Sequence, residues 1–280
     1  MRDYCIRLYS LINCLFVNFC SGNLKNLPYV VITNNTKTKS DEFLANLRQK
    51  GLNIKSESYL DPFCVLNNII APCAAALFGA DEFIKTMQNL GFTQDLNSKN
   101  AVLVASYDDF KFSEFANMIE LILAGAKFIP LHETSIYKKN GRLYPGVGAV
   151  ANMIKTATNC EFKAVGKPSL AFYEEALRRL NLQKNGTEFS DITIVSDDAL
   201  GDLKGAKALG MKTALVLSGK VSEAKNSGVM PEILDFVFKD VSEFLGLCVR
   251  LLDFTPKEYN IFMSLQNMIK GENRYGKIWN

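Results

Sequence analysis

The apolar positions of this chain fall into short runs separated by longer amphipathic stretches. The β-branched run Tyr29-Val-Val-Ile32 predicts a strand that ends in Thr33-Asn34-Asn35. A helix is predicted over 40–50, with Ser40 as its cap and Gly51 as its stop. Next come an apolar helix over 62–70, a strand over 74–78, a helix over 81–90, a buried strand over 101–105, a helix over 112–124 and a strand over 127–131. The stretch 145–158 reads as a helix with Pro145 near its start. The second half repeats the alternation: helix 170–180, strand 191–195, helix 201–209, strand 213–217, strand 236–238 and helix 241–247. Strand and helix alternating in this way predict an α/β fold, a Rossmann-like parallel sheet covered on both faces.

The two ends depart from the pattern. Arg2 and Arg7 precede an apolar run over 8–20, which is the outline of a signal peptide, but Asp3, Ser10, Asn13 and Asn18 weaken it. The tail from 248 to 280 is polar and mixed and reads as a C-terminal extension. No stretch approaches the ~20 apolar residues that cross a bilayer, so no membrane association is expected.

Composition narrows the function classes. With 280 residues the chain holds one large domain or two modest ones. Lys+Arg is 32 and Asp+Glu is 29, a net charge of +3 that is too balanced for a nucleic-acid partner. A single histidine, His132, excludes multi-histidine metal sites. Seven scattered cysteines without a CxxC read as reduced thiols and point to the cytoplasm.

Three polar clusters stand out, each expected just after a strand, where open α/β sheets bind ligands. Thr33-Asn34-Asn35-Thr36 offers a hydroxyl and backbone N–H groups to a phosphoryl oxygen, or a plain helix cap. Gly166-Lys167-Pro168-Ser169 sets a cation at the start of a helix, with Pro168 in the first turn; the lysine invites an anion or is an ordinary surface residue. Ser196-Asp197-Asp198-Ala-Leu-Gly201-Asp202 crowds carboxylates that suit Mg²⁺, or that cap the following helix. An anion holder, a fixed cation and a metal site together make a phosphoryl-transfer constellation.

This order, with Gly-Met-Lys-Thr-Ala-Leu-Val-Leu-Ser-Gly-Lys after the acidic cluster, resembles the haloacid dehalogenase superfamily, and within it the NagD-like phosphatases with a large inserted α/β cap. The cap's return segment is matched by Arg142-Leu-Tyr-Pro-Gly-Val-Gly-Ala149. The resemblance implies a core over 1–67 and 161–247 with a cap over 68–160. It implies Mg²⁺-dependent hydrolysis of a small phosphate monoester through an aspartyl-phosphate, and a homodimer formed through the cap. Thr33, Asn34 and Lys167 would hold the phosphoryl oxygens, and Lys167 would also balance charge. Asp197 would bind Mg²⁺ with support from Asp198 or Asp202. The cap loop His132-Glu133-Thr134 is placed to touch the leaving group, although His132 on its own reads as an exposed loop residue.

One family element is missing. The nucleophile and acid/base should stand in an Asp-x-Asp-Gly-Thr motif at the end of the first strand, and no such motif occurs. The sole carboxylate before residue 28 is Asp3, too early to follow a strand that would aim it. Two accounts follow. Residues 1–26 are an aberrant stretch, from a shifted frame or a wrongly placed start, or the protein binds a phosphometabolite (or serves as a scaffold) without catalysis. A dinucleotide enzyme is disfavoured because no GxGxxG follows the first strand.

Overall fold

The computed structural model describes residues 3–7, 28–139 and 141–252. The signal-like run over 8–20 and the tail beyond 252 lie outside the described residues, and of the stretch 1–26 only 3–7 is described. In chain order the strands and α-helices are β1 (Asp3–Arg7), β2 (Tyr29–Ile32), α1 (Ser40–Gln49), β3 (Tyr59–Leu60), α2 (Pro62–Ile69), β4 (Ala74–Phe78), α3 (Asp81–Asn89), β5 (Thr93–Gln94), β6 (Ala101–Val104), α4 (Phe112–Leu123) and β7 (Lys127–Pro130). They continue with β8 (Ile136–Lys139), β9 (Arg142–Pro145), α5 (Val147–Thr158), α6 (Leu170–Gln183), β10 (Ile192–Ser196), α7 (Lys204–Ala208), β11 (Lys212–Val216), β12 (Phe236–Phe238) and α8 (Val241–Leu252). None of the described helices is long and apolar enough to cross a membrane.

The chain divides into two compact units, 29–188 and 1–28 with 189–280. In the second of these, β12, β11, β10 and β1 lie side by side and all parallel, with Asp3 opposite Ile192 and Ile6 opposite Val195. The inner strand β10 is buried at every residue, which explains its unbroken apolar run. Asp235 clamps the start of β11 to the approach to β12. Both its oxygens take a hydrogen bond from Lys207 Nζ, each at 2.7 Å, and Oδ2 takes one from the Thr213 N–H at 2.8 Å. Burial works to raise the Asp235 carboxyl, but Lys207 and the Thr213 N–H outweigh it and hold it below the ordinary carboxylate range.

The sign of the pH effect follows. A carboxylate depressed in the folded state contributes stability above its unfolded pKa, about 3.9, and loses it as pH falls through the folded value. Urea midpoints of the wild type should therefore fall more steeply below about pH 4 than those of Asp235→Asn. Parallel slopes would remove this clamp from the account of acid stability.

In the unit 29–188, β5, β4, β6 and β7 form a parallel sheet. Ala76, Phe78, Val102, Val104 and Phe128 of that sheet pack with Met118, Leu121 and Ile122 of α4 and with Val147, Val150, Ala151 and Ile154 of α5. The same unit holds the parallel pair β2–β3. Helix α6 is fastened beside that pair: Gln183 exchanges hydrogen bonds with the Tyr29 backbone, and Arg179 reaches the carbonyls of Tyr59 and Ser56. Arg178 and Arg179 both bind Glu175, and the hydrogen bond from Arg178 leads the causes that hold its carboxyl below the usual range.

The structure corrects several sequence expectations. A strand, β1, does stand near the start of the chain, with Asp3 as its first residue. Pro145 closes β9 instead of opening a helix, because 136–145 folds as the hairpin β8–β9 with Tyr137 stacked on Tyr144, and Gly146 precedes α5. Ser40 does not cap α1: its hydroxyl is turned to Asp61 at 2.7 Å, and Lys39 stands at the cap. The 201–209 helix begins two residues early, as a π-helical turn over Ala199–Leu203 that runs into α7.

Candidate functional site

In the unit 29–188, three loops are knitted together around Asn34. Strand β2 releases the chain at Thr33, whose N–H still donates to the Leu60 carbonyl at 3.0 Å. Asn34 Oδ1 then accepts the Lys167 N–H at 3.0 Å, while Nδ2 donates to the Lys167 carbonyl at 3.4 Å and to Thr134 Oγ1 at 3.3 Å. The Gly166 N–H donates to the Leu131 carbonyl at 2.8 Å, and the Glu133 N–H to the Lys167 carbonyl at 3.3 Å. Gly166 is needed for this approach. A Cβ there would stand 2.7 Å from Asn34 Oδ1, 2.8 Å from Pro62 Cγ and 2.9 Å from the Leu131 oxygen.

The sequence-predicted anion holders Asn34 and Lys167 are thus brought together, and Thr134 joins them. Their roles differ from expectation in one respect. The Asn34 amide is spent on tying loops, so its contribution is positional. Lys167 is only 1% exposed, not a surface lysine. Pro168 lies before the helix, not in its first turn: α6 starts at Leu170, and Ser169 is its cap, accepting from the Phe172 N–H at 3.3 Å.

His132 is buried at 4% exposure, which overturns its reading as an exposed loop residue. Its Nδ1 accepts the Thr134 N–H at 3.2 Å, so its proton sits on Nε2, 3.0 Å from Ser106 Oγ. A ring that donates toward a serine is not that serine's general base, so the pair is not a hydrolytic dyad. His132 instead braces the loop that presents Glu133 and Thr134. Glu133 is exposed as a residue, and partial desolvation of its carboxyl raises its pKa.

In the other unit, the acidic cluster follows β10. Asp202 Oδ2 accepts the Ser196 hydroxyl at 2.7 Å. Asp198 Oδ1 accepts the Gly201 N–H at 2.9 Å, so its capping role is real, and Oδ2 meets Lys220 Nζ at 2.5 Å. Asp197, 1% exposed, accepts the Lys220 N–H at 3.0 Å, with Gly219 packed so closely that a Cβ there would overlap its carboxylate. Ser196 and Lys220 are partners that sequence reasoning passed over. Ser218-Gly219-Lys220 was visible as a motif, but nothing in it said that the lysine folds back on the acids.

These residues can be tested against the Mg²⁺ that the family implies. Among the described residues no group of three or more His, Cys, Asp or Glu side chains is arranged to hold a metal. Asp202 is turned to Ser196, which leaves Asp197 as first ligand and Asp198 as a second one shared with Lys220. Mg²⁺ often takes one or two carboxylates and keeps several waters, so a water-rich ion on Asp197 fits this donor set. Ser218, in the loop that carries Gly219, has a buried hydroxyl with no hydrogen-bond partner among the described residues, a further group for a hydrated ion to meet.

Comparison with known proteins bears on the fold. A family model described as HAD-hydrolase-like matches residues 164–244. The chain is 25% identical over 203 residues to haloacid dehalogenase-like hydrolase domain-containing protein 2 of Bos taurus, covering 71% of this chain and 75% of that protein. Over these stretches the chain resembles haloacid dehalogenase-like hydrolases. It is also 24% identical over 232 residues to an acid sugar phosphatase of Staphylococcus aureus, covering 80% of this chain and 86% of that one. Among solved structures, p-nitrophenyl phosphatase from Archaeoglobus fulgidus superposes with a TM-score of 0.70 at 20% identity, over 88% of this chain and 98% of the other. NagD from E. coli K-12 superposes with a TM-score of 0.66 at 20% identity, over 87% and 98%. The two structural likenesses place the fold with that of NagD-like proteins, an α/β fold with a parallel-sheet core.

Proposed function

We propose that this chain binds a small phosphate monoester in the manner of its family and hydrolyses it slowly or not at all. The observation that carries the second half is the register of β1. Asp3 pairs with Ile192 at the first residue of β10, and the strand runs on to Arg7, beside the Ser196 end. At ~3.3 Å per residue, Asp3 lies roughly 13 Å back along the strand from that end. The superfamily's nucleophile belongs at the carboxyl end of this strand, and no carboxylate occurs between Asp3 and residue 28 to take the place. Without it the covalent aspartyl-phosphate does not form.

The remaining parts retain binding roles. Thr33 and Lys167 bind the phosphoryl oxygens, Asn34 fixes the Lys167 backbone, and Glu133 and Thr134 approach the rest of the substrate from the range 68–160, which acts as the cap. Asp197 holds Mg²⁺, with Asp198 as second ligand. When bound, the ion neutralises phosphoryl charge. A cytoplasmic location and a homodimer formed through the cap belong to the same proposal. Cys64, Cys73 and Cys160 are free thiols, which supports a reducing compartment.

The test is one pair of measurements on the purified chain with Mg²⁺. Calorimetry should show binding of inorganic phosphate, and p-nitrophenyl phosphate should be released at no more than the background rate. Brisk turnover that Asp197→Asn abolishes would reject the impaired reading. Absence of phosphate binding would leave only a scaffold.

A further inference from the structure

Ser196, Asp197, Asp198 and Asp202 bring three carboxylates within six residues of one another at the end of β10. Like charges so placed destabilise one another unless something neutralises them. For Asp202 the neutral hydroxyl of Ser196 supplies a hydrogen bond. For the other two the structure supplies Lys220, twice over: its backbone N–H binds Asp197 Oδ2 at 3.0 Å and its ammonium binds Asp198 Oδ2 at 2.5 Å.

We infer that Lys220 is a built-in counter-ion that competes with the divalent cation for Asp198, so that metal binding requires the ammonium to swing out. The inference rests on the metal reading given above and deepens it. A Mg²⁺ on Asp197 with Asp198 as second ligand would meet the Lys220 ammonium at contact distance, where cation repels cation. Lysine suits a removable plug. Its ammonium is a compact charge on a flexible four-carbon stem, and the Lys220 side chain is 35% exposed, so water can receive it. Meanwhile the backbone half of the arrangement stays in place. The Lys220 N–H and the close packing of Gly219 hold Asp197 whether or not the side chain is docked. The apparent affinity for metal is then the intrinsic affinity reduced by the fraction of molecules in which the ammonium is undocked.

The experiment is titration with Mn²⁺, followed by its electron paramagnetic resonance signal, and with Mg²⁺ by calorimetry, at pH 7.5 and without substrate. Wild type, Lys220→Met and Lys220→Arg are compared, with thermal unfolding to show that each variant is folded. Lys220→Met should bind Mn²⁺ at least about tenfold more tightly than wild type, and Lys220→Arg should bind like wild type. Adding Asp198→Asn to Lys220→Met should cancel the gain. Equal affinity in wild type and Lys220→Met would overturn the competition while leaving the metal reading intact, and so would weaker binding by Lys220→Met. Absence of Mn²⁺ binding in all three would overturn the metal reading and this inference with it. Should Lys220→Met fail to fold, Lys220→Gln provides the same comparison.

Discussion

Lys167→Met is expected to weaken binding of inorganic phosphate by at least about a hundredfold while the chain stays folded. The two halves of this result have separate causes. A charged hydrogen bond to a bound phosphate contributes about 1.5–3 kcal/mol, so losing it, with the charge that draws the anion in, reaches two orders of magnitude in affinity. The fold responds differently because the loop contacts around this residue are made by its backbone. The substitution also leaves the loop where it is. Asn34 holds Lys167 by its backbone N–H and carbonyl, and Gly166 is fixed by the Leu131 carbonyl, none of which involves the lysine side chain. Calorimetry with phosphate and a thermal scan of the same samples check both halves. Wild-type affinity in Lys167→Met would remove the lysine from the anion site. A large drop in midpoint would mean that its charge serves the fold, not the ligand.

The parts of this protein that were legible in the sequence are those governed by short-range pattern. The buried strands β2, β4, β6, β10 and β11 announce themselves as apolar runs because both faces are covered, and the alternation with helices identifies a parallel α/β fold. Illegible parts are those decided by tertiary contact. Two-residue strands such as β3 and β5 carry no period at all. Pro145 reads as the start of a helix because proline commonly opens one, and only the hairpin with its Tyr137–Tyr144 pair shows that it closes β9. Ser40 has the right chemistry for a cap, but a buried carboxylate nearby takes its hydroxyl instead. Strand β1 was missed because Asp and Arg at its two ends disguise a short central run.

The candidate site divides along the same line. Motif spacing singled out Thr33, Asn34, Lys167 and the acidic cluster, since each lies directly beside a predicted element end. It did not reveal that Asn34 works through backbone groups of Lys167, that His132 is internal, or that Lys220 returns from a later loop to sit on Asp198. Those are facts of side-chain direction, and a chain read in one dimension does not contain them. The family resemblance located what should follow β1; the register of Asp3 against Ile192 then showed which end of the strand the lone carboxylate occupies.

Asp61→Ala should lower the stability of the unit 29–188 by about 4 kcal/mol and loosen phosphate binding without touching the ligand. Asp61 is fully buried and caps α2. Its Oδ2 accepts the Tyr59 hydroxyl at 2.7 Å and Asn35 Nδ2 at 3.1 Å, and its Oδ1 accepts the Ser40 hydroxyl at 2.7 Å and the Cys64 N–H at 3.3 Å. Deleting the carboxylate strands the Tyr59 and Ser40 hydroxyls, each costing on the order of 1–3 kcal/mol if water does not reach it, while Asn35 Nδ2 keeps the Thr38 carbonyl and the Cys64 N–H keeps the Asp61 carbonyl, so the total falls near the figure given. Burial, and after it the charge of Asp61, pushes the Tyr59 hydroxyl far above its ordinary range; the same two causes raise the Cys64 thiol. The tyrosine therefore keeps its proton and goes on donating in mildly alkaline solution, and the loss should be nearly the same at pH 7 and pH 9. The link to binding runs through Asn35, which Asp61 holds and which directly follows Thr33 and Asn34. Tyr59→Phe removes one donor together with one acceptor contact and should cost only about 1 kcal/mol, with phosphate affinity preserved. Urea unfolding and phosphate calorimetry on the two variants separate the cases: if Tyr59→Phe proves as damaging as Asp61→Ala, the single Tyr59–Asp61 hydrogen bond and not the wider set of donors holds this corner together.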